Sequence, residues 1–101
     1  MFAIEDEEWP GISKLIEEAG EVQQVCGKLL GTHGQVEHWD GSNLRVELQK
    51  ELADLLAAIH FVQDFCDLDQ EFIAARMDAK LARFARWHEL GETNFKSLPD
   101  Q

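Results

Sequence analysis

A chain of 101 residues is a single domain's worth of sequence, and a core this small is often completed against a second copy. Twenty Asp and Glu against nine Lys and Arg give a net charge of −11, the wrong sign for a phosphate-backbone footprint, so the composition argues against binding a nucleic-acid duplex. The same negative field repels a free nucleotide, and an anionic substrate must arrive with cations or meet a local basic patch.

The first residues, Met1-Phe2-Ala3-Ile4-Glu5-Asp6-Glu7-Glu8, place acids where a signal peptide carries bases. No apolar run approaches the roughly 20 residues of a membrane span. A cytoplasmic protein without a membrane segment is expected.

Trp9-Pro10-Gly11 leads into a first helix predicted over residues 12–30, capped near Gly11 or Ser13 and closed by Gly31. Leu15, Ala19, Val22, Cys26 and Leu29 recur at helical spacing as its buried stripe. Glu17, Glu18 and Glu21 crowd one flank, and like charges at this spacing destabilise an isolated helix. Residues 31–43, GTHGQVEHWDGSN, form a long Gly-rich polar connection expected to be a mobile flap or substrate-facing loop.

A second helix is predicted over 44–66, capped by Ser42 or Asn43, with Leu44, Leu48, Leu52, Leu55, Ile59, Val62 and Cys66 as its main stripe. Ala58 and Phe61 widen that face. Asp54 is the only acid between Leu52 and Val62, a stretch that holds no Lys or Arg. Glu51 lies one turn before it and Glu47 one turn before that. After a turn at 67–69 with Asp69 as N-cap, a third helix is predicted over 70–90 and stopped by Gly91. Phe72, Ile73, Met77, Leu81, Phe84 and Trp87 or His88 supply its apolar positions. Arg76, Lys80, Arg83 and Arg86 make it the one densely basic segment. The tail through Phe95, Leu98 and Pro99 is expected to cover a neighbouring surface or fray.

An ionised carboxylate withdrawn from water costs several kcal/mol unless a cation or donors compensate it. Four acids on two helices, Glu18 and Glu21 with Glu51 and Asp54, therefore suggest a hard divalent ion, and oxygen-rich sites suit Mg²⁺ or Mn²⁺. Such an ion neutralises a polyphosphate and acidifies a bound water, which a further carboxylate, here Glu17, can orient or deprotonate.

The order EExxE then ExxD, Glu17-Glu18-Ala19-Gly20-Glu21 followed by Glu51-Leu52-Ala53-Asp54, resembles the signature of the MazG-type all-α nucleoside triphosphate pyrophosphohydrolases. Lys80 and Arg83 extend the resemblance as a KxxR pattern, and it covers about residues 12–90. It implies an all-α helical bundle completed by homodimerisation or by a dimer of dimers. It further implies Mg²⁺-dependent cleavage of (deoxy)nucleoside triphosphates to monophosphate and pyrophosphate, a role in nucleotide-pool control. By the same resemblance Glu18, Glu21, Glu51 and Asp54 are the metal ligands and Glu17 an outer ligand or water-orienting base. Lys80 and Arg83, joined by Arg76, would meet the phosphates. The twenty-nine residues between Glu21 and Glu51 are at or beyond the long end of the family's spacing, which bears on base recognition.

Other uses of the same residues are blander. The Glu17 cluster could be a solvated helix face, and the cations of the third helix surface partners of nearby acids. Trp9, Trp39 and Phe61 could stack on a base, with Trp9 and Trp39 the base-binding candidates, although aromatics more often anchor a core or loop. Cys26 and Cys66 lack metal-ligand spacing and read as buried thiols. His60 and His88 are expected in or beside the core, and His33 and His38 on the loop surface. A di-iron bundle would need Glu-x-x-His pairs, but Leu30, Gln35, Ala57 and Ala85 stand three before the histidines. The remaining alternatives are a phosphoribosyl-ATP pyrophosphatase-like enzyme and a non-catalytic acidic metal-binding bundle.

Overall fold

The computed structural model describes residues 9–90; the stop at Gly91 and the tail through Pro99 lie outside the described residues. Three helices account for most of them: α1 (Ile12–Gly31), α2 (Leu44–Phe65) and α3 (Gln70–Leu90). Their ends agree with the sequence reading to within one residue. Among the described residues the only β pairing is an isolated bridge between Glu37 and Asn43, so the fold is all-helical. The chain divides after Leu68 into two units, an α1–α2 hairpin and α3. No helix of the described residues is long and apolar enough to cross a membrane.

The boundaries follow from local chemistry. Gly11 caps α1 in the left-handed region, φ +87°, a conformation nearly free of steric cost only without a Cβ. Asn43 caps α2 by accepting a hydrogen bond from the Val46 N–H at 3.1 Å. Asp69 does the same for α3 through the Phe72 N–H at 3.0 Å.

The loop expected to be a flap is bonded internally. The Asp40 carboxylate accepts from the Ser42 hydroxyl at 2.7 Å, from the Ser42 N–H at 3.0 Å, and pairs with His38 Nδ1 at 3.3 Å. These bonds, the Ser42 hydroxyl foremost, lower the Asp40 pKa from 3.8 to about 2. The loop ends with the Leu44 N–H donating to the Val36 carbonyl at 2.7 Å, which seats Leu44 at 0% exposure.

Within the hairpin the helices run antiparallel. The Cys66 thiol donates to the Pro10 carbonyl at one end, and Lys28 meets Glu47 at 3.4 Å toward the other. Val25, Leu44, Ala58 and Val62 are the buried apolar residues. The buried line keeps Leu44 and Val62 of the expected α2 stripe and departs from the expected stripes at single positions. On α1 it passes through Val25, leaving Cys26 exposed. On α2 it passes through Glu51, at 15% side-chain exposure, and Ala58, leaving Leu52 at 41%. The expectation of a buried Cys26 is corrected, and Cys66 is half-buried. His60 and His88 are likewise exposed. At mid-hairpin Glu51 shares the seam with the half-buried Leu48 and Leu55. Ile16, Leu52, Leu56 and Phe65 are turned outward.

Helix α3, taken by itself, leaves Phe72, Met77, Leu81 and Phe84 more than half exposed. Its Arg76 is exposed, Lys80 and Arg83 are half-buried, and the Lys80 ammonium lies 5.8 Å from the Phe84 ring centroid.

Candidate metal centre

Residues three apart on a helix share a flank, so Glu18 and Glu21 project together from α1, as do Glu51 and Asp54 from α2. Antiparallel packing turns the two flanks toward each other. One carboxylate oxygen from each of the four residues lies within 4.8 Å of the others. A six-coordinate Mg²⁺ with oxygens at about 2.1 Å would set opposing ligands about 4.2 Å apart. The four oxygens thus span little more than one such coordination shell.

The shielding of two of the acids' oxygens is the more telling observation. Glu18 Oε1 and Glu51 Oε1 are shielded from solvent and have no hydrogen-bond partner. A carboxylate oxygen left in this way carries its full desolvation penalty. One turn along the seam, the more exposed Glu47 is paired with Lys28 at 3.4 Å. The donor set is carboxylate oxygen throughout, the chemistry of hard divalent cations rather than of softer metals.

Lys50 reaches two of the four acids, and Lys14 pairs with the neighbouring Glu17. Lys50 Nζ lies 3.6 Å from Glu51 Oε2 and 3.9 Å from Asp54 Oδ2, and the charge of Glu51, then of Asp54, raises its pKa above 10.5. Lys14 Nζ donates to Glu17 Oε1 at 3.0 Å, and that hydrogen bond, with the charge of Glu17 next, raises its pKa too. Neither lysine stood out as a site residue in the sequence, although their spacings, Lys14 to Glu17 and Lys50 to Asp54, are those of facing pairs on a helix. Glu17 is half-exposed, turned to Lys14, and is not one of the four clustered acids.

Beside the acids the hairpin opens into a cleft of about 610 Å³, lined by Pro10, Gly11, Lys14, Glu18, Asp54, Ala57, Ala58 and Phe61. That volume falls in the ordinary range for a small-molecule site. Neither tryptophan lines it. Trp9 is 43% exposed at the entry to α1. Trp39 is 88% exposed on the loop, with its ring 5.6 Å from that of His38, over a more polar depression shared with Thr32, His33 and Glu37. Of the aromatic candidates, Phe61 is the one at the cleft. Arg76, Lys80 and Arg83 all belong to α3, the separate unit. Comparison with family models, curated proteins and solved structures finds no match to this chain.

Proposed function

We propose that Glu18, Glu21, Glu51 and Asp54 hold a hard divalent cation, Mg²⁺ with Mn²⁺ as substitute, and that the chain is a MazG-like nucleoside triphosphate pyrophosphohydrolase. The observation that carries this reading is the pair of buried, donorless oxygens on Glu18 and Glu51 inside a four-carboxylate cluster drawn from two helices. When bound, the ion would neutralise a polyphosphate and lower the pKa of a coordinated water. The residues then divide the work. The four acids fix the ion, and Glu17, steadied by Lys14, is the carboxylate left to orient water at the edge of the site. Lys80, Arg83 and Arg76 would meet the substrate phosphates, as the resemblance implies. The substrate is a (deoxy)nucleoside triphosphate, with a phosphoribosyl-ATP-type compound the near neighbour, and pyrophosphate the product.

The proposal includes a homodimer or a dimer of dimers. Each unit supports it separately: the hairpin leaves Ile16, Leu52, Leu56 and Phe65 exposed, and α3 leaves Phe72, Met77, Leu81 and Phe84. Apolar area on this scale in a short chain favours a partner.

A second reading is favoured by one specific feature. Lys50, within 4 Å of both Glu51 and Asp54, supplies counter-charge without a metal, as it would in a non-catalytic acidic bundle. Pyrophosphate release from a panel of (d)NTPs, with and without Mg²⁺, separates the two. The enzyme reading predicts Mg²⁺-dependent release that Asp54→Asn abolishes. Absence of release from every nucleotide would leave the second reading standing, and release indifferent to Mg²⁺ would overturn the metal-dependent enzyme and the non-catalytic bundle alike.

A further inference from the structure

The cleft beside the acids is divided by chemistry. Glu18, Asp54 and Lys14 line one end; the remainder is Pro10, Gly11, Ala57, Ala58 and Phe61. Side-chain charge is confined to the first end, and the second offers hydrocarbon surface.

The antiparallel register sets the distance between the ends. Stepping back along α1 from Glu18 to Gly11, and forward along α2 from Asp54 to Phe61, moves seven residues in the same direction on both helices. At about 1.5 Å per residue this is roughly 10 Å. Gly11 and Phe61 do meet there: a Cβ built on Gly11 would stand 2.5 Å from Phe61 Cδ1 and 2.9 Å from Cε1. The absence of a side chain at position 11 lets the ring occupy this end of the cleft. The other flank of Phe61 is braced by Phe65, centroids 4.4 Å apart and 25° from parallel, yet the residue remains 44% exposed. A braced aromatic left partly bare in a concave site is suited to meeting a flat ring.

We infer that the apolar end of the cleft seats the nucleoside part of the substrate, with Phe61 as its wall, while the phosphates reach the acid end. This rests on the metal reading proposed above and goes beyond it by placing ring recognition on Phe61 and not on Trp9 or Trp39. Continuity identifies the occupant: Glu18 and Asp54 belong both to the acid cluster and to the cleft, so one molecule joining an ion-binding anion to an apolar ring satisfies both ends. Recognition by the hairpin is then by shape. Its lining residues place no hydrogen-bonding side chain at the apolar end, and apolar contacts discriminate by about 10–200-fold where a hydrogen-bonding pocket reaches 10⁴ or more.

The test compares two probes in the presence of Mg²⁺: deoxynucleoside α,β-imidotriphosphates and inorganic triphosphate, each titrated calorimetrically into the full chain. Ala57→Trp, at an exposed position, obstructs the apolar end, and Phe61→Ala removes its wall; Phe61→Leu serves as the gentler variant should the alanine fail to fold. Both main variants are expected to weaken nucleotide binding tenfold or more while leaving inorganic triphosphate within twofold, with Phe61→Leu intermediate. The four bases should differ by less than about 100-fold on the wild-type chain. Unchanged nucleotide affinity in both main variants overturns the inference. So does a parallel loss of triphosphate binding, or thousandfold discrimination among bases. Direct Mn²⁺ titration of the same proteins keeps the two levels apart: if Mn²⁺ binds but the cleft variants are silent, only the nucleoside seat fails, whereas a wild-type chain that binds no Mn²⁺ brings down both.

Discussion

Glu51 is the side chain on which the energetics of the site turn. It is 15% exposed, its Oε1 has no donor, and the nearest cation is Lys50, 3.6 Å from the other oxygen and itself 70% exposed. A solvated lysine at that distance returns little. Glu51→Gln should therefore stabilise the metal-free protein, because it removes a buried charge from a crowd of like charges while keeping its shape. A gain of about 1 kcal/mol corresponds to a rise of about 4–8 °C in Tm for a domain of this size, and differential scanning calorimetry in chelator would read it. A lower Tm would mean the acids are held well without an ion. Lys50 supplies the complementary experiment. Its ammonium competes with a cation for Glu51 and Asp54, so Lys50→Gln should tighten Mn²⁺ binding severalfold at low ionic strength, with the gain fading as salt screens the exposed charge. Equal affinities at every salt concentration would remove Lys50 from the site.

At the scale of elements, the loop and the entry to α1 make separate predictions. Asp40 titrates well below its ordinary 3.8, near 2, because Ser42 donates twice to its ionised form. A depressed folded pKa means the bonds contribute fully above the unfolded value and are lost as pH falls through the folded one. The Ser42 amide should therefore shift between about pH 4 and pH 2 in NMR spectra, with a midpoint near 2; a midpoint near 4 would show the bonds are not held in solution. Gly11→Ala would force a Cβ into the left-handed region and against the Phe61 ring, at a cost of about 1–3 kcal/mol, measurable by urea unfolding. Helix existence and ends were legible from sequence because each depends on local chemistry: Asn43 and Asp69 as caps, Gly11 as a residue free to take positive φ, and the 3.6 period between. The α2 stripe through Leu44, Leu48, Leu55 and Val62 was legible too, but single positions of the seam were not. Reading apolar residues as inward gave Cys26 and Leu52, whereas the chain turns Val25 and Glu51 inward. Hydrophobicity alone cannot register a carboxylate turned into a helix seam. The meeting of the four acids followed from their spacing, and the lysine pairs were open to the same reading, being three or four residues from their acids; the cleft at Phe61 required coordinates, since it depends on which residues of α1 face which residues of α2.

The whole molecule carries a charge of −11 on a chain with a thin buried core. Leu56 at 54% and Phe65 at 63% are exposed on the hairpin, and the proposed homodimer would cover them. Sedimentation equilibrium should give a multiple of 11.5 kDa, and Leu56→Glu should shift it toward the single chain; a wild-type protein that sediments as one chain would remove the dimer from the proposal. The two acid half-motifs, far apart in sequence, belong to one site only if a cation draws on both helices together. Calorimetric titration of chelator-treated protein with Mn²⁺, followed by displacement with Mg²⁺, tests that dependence most directly. Saturable binding is expected in the wild type, with about 2.7 kcal/mol of added stability at an ion concentration one hundred times Kd, and loss of both effects in Glu18→Gln on α1 and in Asp54→Asn on α2 alike. Binding that survives either substitution unchanged, or a wild-type chain indifferent to both ions, would contradict a shared metal centre.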